Sequence, residues 1–147
     1  MRFFRWVTAF GCICICLLTV WVCRLQNPYG DTSGGVLTER EYYLYSPSSQ
    51  AAVRTETALW ESVYIQGEKS VFTFETQEDA NEYAVRLLDV QKAQVLFEEE
   101  IAGARSIYAY SKRLGDGVRI GGVVVNLHIV LSGINVQVGT PLIFGAY

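Results

Sequence analysis

The run from Val123 to Leu131 is apolar except at Asn126 and His128, two positions apart. Val123, Val125, Leu127, Ile129 and Leu131 fall on one side of an extended chain, and Val124, Asn126, His128 and Val130 fall on the other. A period of two is that of a half-buried β-ladder. Gly121-Gly122 supplies a two-residue hairpin link, because glycine enters the φ > 0 conformations of such turns at little steric cost. Ser132-Gly133-Ile134-Asn135 makes the next turn. Val136 and Val138 then alternate with Gln137 up to Pro141, which cannot donate to a ladder and marks an edge or the end of pairing. Residues 105 to 147 therefore read as a β-meander.

Upstream the period changes. Thr76-Gln77-Glu78-Asp79 has the form of a capping box, with acids at 78, 79 and 82 suited to the positive end of a helix. Ala80, Tyr83, Ala84, Leu87 and Leu88 follow at i, i+3, i+4, i+7 and i+8, which predicts one amphipathic helix to about Val90. Its apolar stripe has the meander to cover. Before it, Ser62-Val63-Tyr64-Ile65 and Val71-Phe72-Thr73-Phe74 predict two strands with a tight turn near Gly67. After it, Val95-Leu96-Phe97 reads as a strand or an extra helical turn, closed by the acidic run Glu98-Glu99-Glu100, which reads as a solvated turn or, alternatively, a site for a cationic partner.

The N-terminus differs from all of this. Trp6 to Cys23 carries no charge and lies between Arg5 and Arg24, with Trp6 and Trp21 near its ends. A transmembrane helix needs about 17 to 25 such residues, so this run is a short signal anchor, or a signal peptide if it is cleaved. Arg2, Arg5 and the α-amino group outweigh Arg24, which predicts the N-terminus inside and the rest outside. Residues 26–52 contain Gly30, Gly34, Gly35, Pro47, Ser48 and Ser49 and read as a linker, with Tyr42, Tyr43 and Tyr45 either packing on the domain or lying at a membrane surface. The expected organisation is an anchor or signal peptide at 1–25, a linker at 26–52 and an exported domain at 53–147.

Charge sharpens the functional picture. Three of the 12 Lys and Arg, and none of the 15 acids, precede residue 25; the remainder holds nine cations against 15 acids, a balance of −6. That disfavours nucleic acid as a partner, since such affinity rests on clustered cations. All four cysteines, Cys12, Cys14, Cys16 and Cys23, sit inside the apolar run, so the exported part has no disulfide and depends on packing. On a helix Cys14 points about 200° away from Cys12, which argues against a metal motif. His128 is the only histidine, so any Ser-His-Asp arrangement hangs on it alone. A hydrogen-bonded or solvent-facing structural role is expected, and a pKa near 6.5 would suit pH sensing. Gly115 to Gly122 fails the dinucleotide-binding spacing, because Ile120 stands where the third glycine is needed. No cofactor, metal ligand or catalytic residue is assigned.

Ser106-Ile107-Tyr108-Ala109-Tyr110-Ser111, Val125-Asn126-Leu127-His128-Ile129-Val130-Leu131, Val138-Gly139-Thr140-Pro141-Leu142-Ile143 and the terminal Tyr147 resemble the C-terminal signature of the YwmB-like family, exported proteins of endospore-forming bacteria described as TATA-box-binding-protein-like in fold. The likeness covers residues 55–147, the C-terminal half of that family. It implies a curved antiparallel sheet with a helix on one face and a link to sporulation. The family name describes shape, and the acidic balance and exported position argue against DNA binding. The expected fold is α+β: a twisted antiparallel sheet, one amphipathic helix on one face, and a transmembrane or signal-anchor helix before it. Asn126, His128, Tyr108, Tyr110, Thr140, Pro141 and Tyr147 are marked for a structural or interaction role. The expected function is that of a membrane-anchored extracytoplasmic binding or assembly module, with the membrane and a second copy or an envelope protein as partners. A cell-wall-active enzyme using a carboxylate pair is the alternative.

Overall fold

The computed structural model describes residues 12–18, 32, 34–44, 52–56 and 65–143. The chain divides into two compact units, Met1–Asp31 and Thr32–Tyr147. In the first, residues 12–18 form a helix, α1, on which Cys12, Cys14 and Cys16 are exposed. The other residues of the apolar run lie outside the described part. Among the described residues no helix is long and apolar enough to cross a membrane.

The second unit is α+β. Its strands are β1 (Val36–Leu44), β2 (Ala52–Arg54), β3 (Ile65–Thr73), β4 (Gln94–Ile101), β5 (Ala104–Tyr110), β6 (Val118–Ile120), β7 (Val123–Val125), β8 (Leu127–Ser132) and β9 (Asn135–Thr140), with helix α2 (Gln77–Val90) between β3 and β4. Seven of them form one antiparallel sheet in the order β2-β1-β3-β9-β8-β5-β4, while β6 and β7 make a separate hairpin. The last strand of the meander lies beside β3, so α2 carries the chain from the middle of the sheet to its far edge.

The predicted helix forms with the predicted cap. The Thr76 side-chain oxygen accepts from the Asp79 backbone N–H at 3.1 Å, satisfying one of the donors left open at a helix start. Ala80, Tyr83, Ala84 and Leu87 are buried, and α2 packs on β8 and β9. The Tyr83 ring lies 5.2 Å from Phe72 and 5.1 Å from Phe74. Phe72, Val136 and Leu131 are partners across three strands and therefore share one sheet face. Alternation puts Leu127 and Ile129 on that face too. At the C-terminus Lys92 takes φ +48. Ala93 N–H donates to Leu88 and Lys92 N–H to Asp89, the two bonds of a Schellman ending with lysine where glycine is usual.

Five expectations are corrected. The strand expected from Val123 to Leu131 breaks at Asn126: Val123–Val125 pairs with β6 in the separate hairpin, and only Leu127 onward joins the sheet, between β5 and β9. The opposite sheet face is not half-exposed: Ser106, Tyr108, His128 and Val130 are all buried. After the cis Thr140-Pro141 bond the chain turns back over this face, and Ile143 comes so close that a Cβ on Gly139 would stand 2.6 Å from its Cγ1. Part of the stretch read as a linker is strand: β1 pairs with β3 along its length, and Tyr43 is buried in the core. Gly67 makes no turn, because β3 continues through it with only a register shift against β1; a Cβ there would meet the Thr140 carbonyl oxygen at 2.7 Å, so only glycine lets β3 and β9 approach this closely. The acidic residues Glu98, Glu99 and Glu100 lie within β4 at the sheet edge rather than in a turn. Ser62 to Tyr64 and Tyr45 lie outside the described residues.

Candidate functional site

The break between β7 and β8 organises one end of the sheet. Asn126 occupies it, almost fully buried, and its amide is used completely against the preceding loop. Oδ1 accepts from Ser111 N–H at 2.7 Å, while Nδ2 donates to the carbonyls of Ser111 at 2.7 Å and Gly115 at 2.9 Å. The Ser111 hydroxyl donates in turn to the Gln91 carbonyl and accepts from Arg113 N–H at 3.1 Å. One asparagine thus fixes the 111–117 loop, and one serine joins that loop to the end of α2.

The fixed loop walls a cleft of about 620 Å³. Ile65 to Glu68 of β3 form one side, Leu114 to Val118 the other, and Asn126, Thr140 and Pro141 complete it. This volume falls within the ~300 to 1,000 Å³ typical of small-ligand sites. Two carboxylates line it. Glu68 is engaged by Arg40, whose Nε lies 3.2 Å from Oε1, and accepts from the Ser70 hydroxyl at 3.2 Å; Asp116 stands on the exposed loop opposite.

Of the seven residues marked from the sequence, three meet at this cleft: Asn126, Thr140 and Pro141. Tyr108 and His128 lie instead in a stack of rings on the second sheet face. Phe97 and Tyr108 are 4.3 Å apart at 17°, and Tyr108 and His128 are 4.3 Å apart at 13°. The imidazole Nδ1 accepts from Ile143 N–H at 3.3 Å, so the neutral ring carries its proton on Nε2. Burial lowers the His128 pKa to about 4, because the cation would lose its hydration there. A ring so enclosed is built to stay neutral and packed. Tyr110 lies at the far side of the loop, half-exposed beside Gln94. Tyr147 lies outside the described residues.

The sequence reading missed Gln66, Glu68 and Asp116. Taking Gly67 for a turn hid the first two, since a continuous strand is what sets them along the cleft wall. Among the described residues no three His, Cys, Asp or Glu side chains gather as a metal site. Comparison of the chain with protein-family models, with curated proteins and with solved structures gives no match.

Proposed function

We propose that the chain is a membrane-anchored, extracytoplasmic binding or assembly module that holds its partner at the cleft walled by the 111–117 loop. The carrying observation is the Asn126 staple: two buried hydrogen bonds and a third, part-buried one tie a glycine-containing loop over a concave surface, and a preorganised surface binds without the cost of ordering itself. The uncharged run Trp6 to Cys23, flanked by arginines, supports the anchor. The likeness to YwmB-like proteins supports a place in the envelope of a spore-forming cell. An envelope protein is favoured over a second copy as partner. The sheet face that would motivate self-pairing is buried, and antiparallel pairing of two β4 edges would bring the Glu98 to Glu100 runs together.

Pull-down from envelope extracts tests this reading. The wild-type chain is expected to retain a partner that an Asp116→Lys, Gln66→Lys double variant loses, without consuming cell-wall polymer. Equal retention by both would contradict it. Shaving of intact cells with protease is expected to remove the second unit, and its survival would place the unit elsewhere.

The presence of both Glu68 and Asp116 on the cleft favours the enzyme reading as second. Turnover of peptidoglycan, abolished by Asp116→Asn or Glu68→Gln, would establish it in place of the module.

A further inference from the structure

On the other side of the 111–117 loop lies a hollow of about 350 Å³ lined by Gln91, Lys92, Gln94, Tyr110, Lys112 and Arg113. Three cations and no carboxylate line it, in a part of the chain whose balance is −6, from nine cations and 15 acids after residue 24. Elsewhere the described cations are largely matched. Arg40 pairs with Glu68, Lys69 with Glu41, Arg86 with Glu82 and Arg105 with Glu98. Lys92 and Lys112 have no such carboxylate among the described residues.

Cations at the end of a helix ordinarily serve its last carbonyls. Here those carbonyls are already occupied. Leu87 O accepts from Gln91 N–H, Leu88 O from Ala93 N–H and Asp89 O from Lys92 N–H. Val90 O accepts from the Arg113 guanidinium, and Gln91 O from the Ser111 hydroxyl. The ammonium groups of Lys92 and Lys112 are left for something outside the fold, and Arg113 keeps further donors in its five-proton fork. The backbone presenting them is fixed: Lys92 by the helix ending, Lys112 and Arg113 by the Ser111 and Asn126 bonds. Asp89 and Asp116, close along the chain, do not line the hollow.

We infer that this hollow binds a phosphate group carried on a small molecule or a lipid headgroup. A phosphate monoester brings about −1.5 to −2 charges and three strong acceptor oxygens, which suits a hollow lined by cationic residues from the helix end and the loop and by the start of β4. The Tyr110 hydroxyl and the Gln94 amide add neutral donors at the rim. The site goes beyond the cleft reading, and its test leaves the cleft untouched.

The test is calorimetric titration of the full chain in nonionic detergent at about 0.1 M salt, where long-range attraction is screened. One arm uses glycerol phosphate, and the other uses mixed micelles containing phosphatidic acid, a lipid whose headgroup is itself a phosphate monoester. Saturable binding is expected in at least one arm, about fivefold weaker in Lys112→Gln and in Lys92→Asn, the latter chosen because asparagine tolerates the left-handed backbone. Glu82→Gln, remote from the hollow, is expected to bind as the parent does. Saturation by glycerol phosphate assigns a soluble phosphate ester; saturation by the lipid micelles alone assigns a headgroup. Absence of saturation in both arms, undiminished binding by both lysine variants, or equal binding of sulfate would overturn the inference.

Discussion

Lowering the pH from 7 to 5 is expected to weaken the second unit through a single residue, His128. Its ring is wholly buried, stacked on Tyr108, and its pKa is lowered to about 4. The unfolded chain presents an ordinary imidazole with a pKa near 6.5. Below that value the unfolded state takes up a proton that the folded state refuses, so the stabilisation is whole above pH 6.5 and is lost as pH falls toward 4. Linkage between these two values gives a loss of roughly 2 kcal/mol from pH 7 to pH 5. Ordinary carboxylates, with pKa values near 4, contribute little over that interval. With no second histidine in the chain, the slope belongs to His128. Urea denaturation of residues 32–147, followed by far-ultraviolet circular dichroism, would show a midpoint about 1 M lower at pH 5, for a slope of roughly 1.5 to 2 kcal/mol per molar urea. A midpoint unchanged or higher at pH 5 would refute the burial argument. A His128→Gln variant, whatever its stability, is expected to lose the slope.

Other perturbations follow from the same contacts. Leu87→Asp places a carboxylate at a 1% exposed position beneath α2, and is expected to unfold the second unit; a parent-like melting temperature by circular dichroism would contradict the packing of α2. Ala102 holds φ +52 beside Gly103 in the two-residue link between β4 and β5. Ala102→Asn is expected to add about 1 kcal/mol in thermal unfolding, because asparagine enters that region more readily than alanine. The Tyr83 hydroxyl is buried with no hydrogen-bond partner among the described residues, so Tyr83→Phe is expected to leave stability unchanged or raise it by about 1 kcal/mol; a loss of that size would reveal a bond. Asn126→Ala removes three hydrogen bonds at roughly 1 kcal/mol each, and hydrogen exchange should show the Ser111 amide newly unprotected.

Much of the fold was legible because its signals are local. The Gly121-Gly122 link, the Ser132 to Asn135 turn, the Thr76 cap and the stripe from Ala80 to Leu87 each sit within a few residues of what they determine. β1 was not legible. Its residues contain no clean alternation, and what holds them is distant: Lys69 reaches Glu41 at 3.1 Å, Arg40 reaches Glu68 at 3.2 Å, and the Thr38 hydroxyl donates to Val71 O at 3.1 Å across a register shift. Gly67 misled for a related reason. A glycine amid β-branched residues signals either a turn or a close approach, and only the position of Thr140 distinguishes them. His128 and Asn126 look polar enough to face water. Their burial depends on a chain that doubles back after Pro141 and on a loop that arrives from residue 111. Thr140 and Pro141 were marked by likeness to a family signature, yet their place on the cleft follows from β9 ending beside the start of β3.

Crosslinking in intact cells, with a photoreactive residue at position 116 in the cleft wall and a control at Val85 on the exposed side of α2, tests the central claim most directly. The account predicts a discrete adduct from position 116 that is missing from position 85 and fades in Asn126→Ala; no adduct at 116, or the same adducts from both positions, would contradict it.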